Sequence, residues 1–87
     1  MSVMVSVYDK KSQKYAPAHG VDTIANAIRS FEQACLNPES FFNKYPLDFE
    51  IVQIGEFDDY EGVLIKTDKK VLARATDYVQ VERAKEA

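Results

Sequence analysis

Two clusters of cations and a set of tyrosines are the residues best equipped for chemistry in this sequence. Lys10, Lys11 and Lys14 form the first cluster, and Lys66, Lys69, Lys70 and Arg74 the second. Tyr8, Tyr15, Tyr45 and Tyr60 sit beside charged or turn residues. Ammonium and guanidinium groups meet phosphates, and aromatic faces stack on unpaired bases at ~1–3 kcal/mol per base. Tyr8, Tyr15, Lys10, Lys11, Lys14, Lys69, Lys70 and Arg74 are therefore candidates to hold a single-stranded nucleic acid. The competing expectation is plain surface chemistry. Lysines keep exposed strand edges soluble, and tyrosines cover a sheet face or a subunit contact with only the hydroxyl in water.

The net charge of −3 conceals a segregated distribution. Residues 1–47 carry five bases and four acids, 48–61 carry six acids and no base, and 62–87 carry six bases and four acids. Such patches steer anionic partners more than the total does. The acidic 48–61 segment supports a rival reading, a protein-interaction adaptor that meets a basic partner protein. A third arrangement sets the acidic strand of one subunit against the basic hairpin of the next.

Catalytic inventory is poor. His19 is the single histidine and Cys35 the single cysteine, so a triad or a zinc site lacks its partners. Asp58, Asp59 and Glu61 bunch together without the ordered ligand positions of a calcium loop. No glycine-rich phosphate cradle is present. A binding protein without cofactor or metal is expected rather than an enzyme. Cys35 falls on an apolar helix stripe and reads as core. No apolar run approaches the ~18–20 residues that span a bilayer. The first residues lack the basic and apolar regions of a signal peptide.

The elements that must position these groups follow from hydrophobic period. Val3, Val5 and Val7 alternate with Met4, Ser6 and Tyr8, which predicts a strand over 2–8. Tyr15-Ala16-Pro17 reads as a short return strand ended by Pro17, giving a hairpin with a basic tip. Ile24, Ala27, Ile28, Phe31, Ala34 and Cys35 recur at a 3.6-residue period, predicting a helix over 23–36 capped by Asp22 or Thr23. A single helical turn with inward aromatics is expected between Pro38 and Pro46. The longest strand follows over 48–57, with Val52 and Ile54 out of phase with Phe49 and Ile51. Either both sheet faces are covered or a bulge, Gly55 being a suitable place, shifts the register. Asp58-Asp59-Tyr60-Glu61-Gly62 reads as a turn; Val63–Ile65, a turn at Thr67–Lys70 and Val71–Ala73 read as a second strand–turn–strand, and residues 76–87 as a terminal helix or tail.

The predicted order is β-β-α-β-β-β. It implies one α+β domain over 1–87, a small, mostly antiparallel sheet of four or five strands with one main helix on one face. A chain of 87 residues has a thin margin of stability, so a homo-oligomer is expected.

Several stretches carry a resemblance. They are Val7-Tyr8-Asp9-Lys10, Tyr15-Ala16-Pro17, Ala27-Ile28-Arg29-Ser30-Phe31, Asn37-Pro38-Glu39-Ser40, Lys44-Tyr45-Pro46-Leu47-Asp48-Phe49 and Ile54-Gly55-Glu56-Phe57-Asp58-Asp59. Together, across residues 5–62, they resemble the small nonstructural protein of gokushovirus-type microviruses, bacteriophages with a single-stranded DNA genome. The resemblance implies a non-capsid, DNA-binding protein that acts when single-stranded genomes are made and packaged. Its expected place is the bacterial host cytoplasm, outside the mature virion, and the basic partner of the adaptor reading would be a phage or host replication or assembly protein. Arg29 lies in the recognisable helix stretch and off the apolar stripe. Its guanidinium suits a phosphate, or an ion pair with Glu32 one turn along.

Overall fold

In the computed structural model, residues 1–80 are described. The sheet has five strands: β1 (Ser2–Asp9), β2 (Lys14–Tyr15), β3 (His19–Val21), β4 (Phe49–Asp58) and β5 (Val63–Arg74). All pairings are antiparallel. The order across the sheet is β2-β1-β4-β5, with β3 also on β1. Two helices, α1 (Ile24–Leu36) and α2 (Phe41–Lys44), separate β3 from β4, with 3-10 turns at Pro46–Asp48 and Ala75–Asp77. The predicted α+β class, with one main helix on one face of an antiparallel sheet, is the one observed.

β1 receives two short strands on one edge. Tyr8 pairs with Tyr15 near its end, and Val3 to Val5 pair with Val21 to His19 near its start. Pro17 stands between these two pairings. It has no N–H for the ladder, so the edge is covered in two pieces. The sequence reading missed β3, because His19-Gly20-Val21 is too short to show a period.

α1 begins at Thr23, whose hydroxyl accepts from the Asn26 N–H at 3.1 Å. Its far end is closed by the next segment. Ser40 Oγ donates to the Ala34 carbonyl at 2.6 Å and Asn43 Nδ2 to the Cys35 carbonyl at 2.9 Å. Two of the last carbonyls of α1 are thereby satisfied, and α2 is locked beside it. Ala27, Phe31 and Cys35 face Val5, Ile51, Ala73 and Ala75 in the core. Phe42 adds to this layer, its ring centroid 5.4 Å from Phe31 and 4.8 Å from Phe49. Phe41 and Tyr45 stay exposed, so only part of the expected inward aromatic set points in.

The register of β4 shifts as its hydrophobic pattern suggested. Met4 pairs with Gly55 but Val5 with Gln53, leaving Ile54 as the extra residue. A Cβ on Gly55 would stand 2.6 Å from the Ile65 carbonyl oxygen. Glycine is required there by close backbone approach.

The expected turn at Thr67–Lys70 does not form. β5 runs unbroken from Val63 to Arg74, and the reversal lies before it, at residues 59–62, with Gly62 at φ 69°. Gln53 pairs with Lys70 and Gly55 with Lys66, so Thr67–Lys69 opposes Ile54 alone. The polar run marks a bulged, solvated edge strand. Thr-Asp-Lys-Lys also holds no glycine or asparagine to supply the positive φ of a tight hairpin turn. Residues 81–87, most of the expected terminal helix or tail, lie outside the described residues. None of the described helices is long and apolar enough to cross a membrane.

Candidate nucleic-acid interface

The face of the sheet opposite α1 is built by alternation. Val5 and Val7 point into the core, so Ser6 and Tyr8 point away from it. Ile51 and Ala73 likewise send Glu50, Val52 and Arg74 outward. One row then crosses four strands: Tyr15 on β2, Tyr8 on β1, Glu50 on β4 and Arg74 on β5 are successive cross-strand partners. The adjoining row holds Ser6, Val52 and Val71. Ser6 and Val52 are buried at 1% and 2% exposure although no helix lies over them. Ser6 Oγ satisfies itself by donating to the Ala16 carbonyl.

Aromatic and cationic groups cover this floor. The Tyr8 and Tyr15 rings lie 4.5 Å apart between centroids, tilted by 41°. Lys69 Nζ stands 5.3 Å from the centre of the Tyr15 ring, within cation–π range. Lys69 ends the bulged stretch of β5, whose local irregularity re-aims side chains. At the other end of the row, Lys10 Nζ and Arg74 Nε lie 3.7 and 3.5 Å from Glu50 Oε2. The Glu50 side chain is 12% exposed, while those of Lys10 and Arg74 are about half exposed. Glu50 therefore anchors two cations whose remaining donors stay in water. Lys10, Lys69 and Arg74 thus bring three cations to this row, two of them held by the Glu50 carboxylate.

The β1–β2 turn that carries Lys10 is braced. Asp9 Oδ1 accepts from the Lys11 N–H at 2.9 Å, the Gln13 N–H donates to the Asp9 carbonyl at 2.7 Å, and Gln13 takes φ 60°. The Lys10 N–H also donates to the Asp48 carbonyl at 2.7 Å, tying the turn to the segment before β4.

Of the nine residues expected to contact nucleic acid, Tyr8, Tyr15, Lys10, Lys69 and Arg74 come together here. The basic clusters do converge, through Lys10 and Arg74 on Glu50, rather than as two hairpin tips. Lys11 and Lys14 are exposed around the turn, and Lys14 alternates with Tyr15 and so leaves its face. Lys70 pairs with Gln53 in the row of Val5, out of phase with Val71. Arg29 is exposed on α1, across the sheet from the tyrosines, and the site does not include it. Among the described residues no ion pair joins it to Glu32.

Sequence reasoning overlooked Glu50 as part of this site. The signal was present, since Glu50 sits between Phe49 and Ile51, which both face the core. The acidic 48–61 segment is divided by the same alternation. Glu50 joins the basic face at one end of β4, and Asp58, Asp59 and Glu61 gather at the other. There, Asp58 Oδ1 accepts from the Tyr60 and Glu61 N–H groups at 3.0 and 3.2 Å, leaving Tyr60 93% exposed. Among the described residues no cluster of three or more potential ligands could hold a metal ion.

Cys35 takes no part in either region. It is fully buried, and burial, with Asp77 and Glu32 nearby, pushes its thiol from 9.0 up to about 11. A neutral thiol at physiological pH is a core group, not a nucleophile. Burial and the same two carboxylates also raise the Tyr78 hydroxyl.

No curated protein and no solved structure matches the chain. A family model does match, over residues 2–78, from the first residue of β1 to Tyr78, just past the 3-10 turn that follows β5. The chain is a bacteriophage protein and belongs to the Phage ORF5 protein family.

Proposed function

We propose that this phage protein binds single-stranded DNA on the open face of its sheet, by binding alone and without catalysis. The observation that carries the reading is the row of Tyr15, Tyr8, Glu50 and Arg74, with Lys69 over the Tyr15 ring. Tyrosine faces supply stacking for any base, while Lys10, Lys69 and Arg74 track the phosphates. A duplex offers no free base faces, so single strands are the better fit. Among the described residues, neither helix is rich in the Arg, Asn and Gln that read base edges in a groove. The sequence resemblance to the microvirus nonstructural protein supports the same reading. On this reading the protein acts during single-stranded genome synthesis or packaging in the host cytoplasm, and it works as a homo-oligomer.

Fluorescence anisotropy of a labelled single-stranded oligonucleotide, with duplex as competitor, tests the proposal. Micromolar or tighter binding that weakens with salt and resists duplex supports it. Absence of binding at low salt overturns it.

One feature favours a second reading, a protein-interaction adaptor. The far turn presents Tyr60 among Asp58, Asp59 and Glu61 in a hydrogen-bonded frame. An exposed tyrosine in an acidic turn suits a basic protein partner. That reading predicts binding of a Lys/Arg-rich peptide that is lost in the Asp58→Asn, Asp59→Asn, Glu61→Gln variant.

A further inference from the structure

The short helix α2 leaves two large aromatics in water. Phe42 enters the core, whereas Phe41 and Tyr45, four residues apart and so on one side of the turn, are 66% and 56% exposed. Their ring centroids lie 6.2 Å apart with a 39° tilt. They border a hollow of about 370 Å³ whose remaining walls are Phe49, Asp9, Asp48 and Lys11. That volume falls in the ~300–1,000 Å³ range of small-ligand pockets.

The lining defines what fits. Aromatic walls suit a flat, polarisable ring. Two carboxylates repel a phosphate inside the hollow but accept hydrogen bonds from the exocyclic amines of bases. Lys11 supplies one cation for a phosphate. Asp9 is held in place by its bond from the Lys11 N–H. Asp48 links the two walls, its carbonyl accepting from the Lys10 N–H at 2.7 Å and its N–H donating to the Tyr45 carbonyl at 3.0 Å.

The hollow is continuous with the open face through one turn. Phe49 and Asp9 belong to the helix side of the sheet, yet Lys10, next to Lys11, reaches Glu50 on the tyrosine side. A strand lying on Tyr8 and Tyr15 would therefore meet Lys10 and then Lys11 as it rounds the sheet end. We propose that the hollow between α2 and the β1–β2 turn is a second base-stacking subsite, in which Phe41 and Tyr45 take a nucleobase of the same single strand. This inference rests on the single-strand reading of the open face and extends it to the other side of the sheet. It also gives Lys11 a phosphate to meet, although that residue lies apart from the tyrosine row.

The chain has no tryptophan, so a single introduced indole reports alone. Tyr45→Trp and, separately, Tyr15→Trp would be titrated with a mixed-sequence oligonucleotide of about 15 nucleotides, near the upper end of the ~4–16 nucleotide site sizes of small single-strand-binding folds. The expected result is quenching of both indoles, saturating together with the anisotropy of the labelled strand. Quenching in Tyr15→Trp with unchanged emission in Tyr45→Trp overturns the subsite and leaves the open face standing. Failure of both variants and of the unmodified protein to bind overturns both. A second variant, Phe41→Ala with Tyr45→Ala, alters only exposed side chains. It should keep the native circular dichroism and weaken binding by at least about fivefold, the loss of one base stack. Unchanged affinity overturns the subsite.

Discussion

The two faces of the sheet come from the same strands and obey different physics. Toward α1, Val5, Ile51 and Ala73 meet Phe31 and Cys35 in a dry layer where burial is nearly complete. Away from α1, Ser6 and Val52 are as well buried, and the row beside them carries Tyr8, Tyr15, Glu50 and Arg74. The first face holds the molecule together. The second keeps aromatic rings and cations half in water, where a ligand can displace the water. A face specialised for folding should be sensitive to lost volume and indifferent to salt. A face specialised for binding should show the reverse, and that contrast can be broken at several points.

The largest effect is expected in the dry layer. Phe31→Ala removes a ring that contacts Phe42 and Tyr78. It should cost about 3–5 kcal/mol in urea unfolding; a loss below about 1 kcal/mol would show that this layer is not the stabilising core. Next comes the thiol. Cys35 is raised from 9.0 to about 11 in the folded state. Its contribution is fully present below pH 9 and is lost as pH rises from 9 to 11, because the unfolded chain ionises first. The loss should amount to about 2–3 kcal/mol. Comparison with Cys35→Ser cannot isolate it, since an unpaired hydroxyl is buried instead, so Cys35→Ala is the reference. Equal alkaline slopes in the two proteins would refute the assignment. Smaller again is Gly55→Ala, which drives a methyl into the Ile65 carbonyl. About 1–3 kcal/mol is expected from overpacking, while a neutral result would mean that β5 shifts freely there.

The open face should respond in the opposite way. Glu50→Gln frees Lys10 and Arg74 from their shared carboxylate, and single-strand binding should tighten and become more salt-dependent. Weaker binding would mean that Glu50 positions those cations rather than competing for them.

Much of the architecture was legible because period survives in the sequence. The valines of β1, the stripe of α1 and the phase break before Gly55 each report one buried face. What was not legible depends on pairing. Thr67–Lys70 looks like a turn by composition, and pairing with β4 on both sides, at Lys66 and Lys70, holds it in the strand. His19-Gly20-Val21 is a strand only because β1 offers an edge. The site was half visible for the same reason. Alternation places Tyr8, and pairing with β2 places Tyr15 next to it. No local signal says that Lys69 leans over Tyr15, or that Lys10 and Arg74 meet on one carboxylate, because both contacts join residues far apart in the chain. Arg29 shows the converse, since a surface cation on a well-formed helix says nothing about which side of the sheet it occupies.

The most direct test of the central claim is the salt dependence of single-strand binding in the unmodified protein and in the Lys10→Ala, Lys69→Ala, Arg74→Ala variant. Each phosphate contact contributes ~0.7 to the slope of log affinity against log salt on single strands. The account predicts that the triple variant keeps the native circular dichroism and loses about 2 from that slope. A variant that binds with the slope of the unmodified protein would contradict the claim that the open face is where the strand lies.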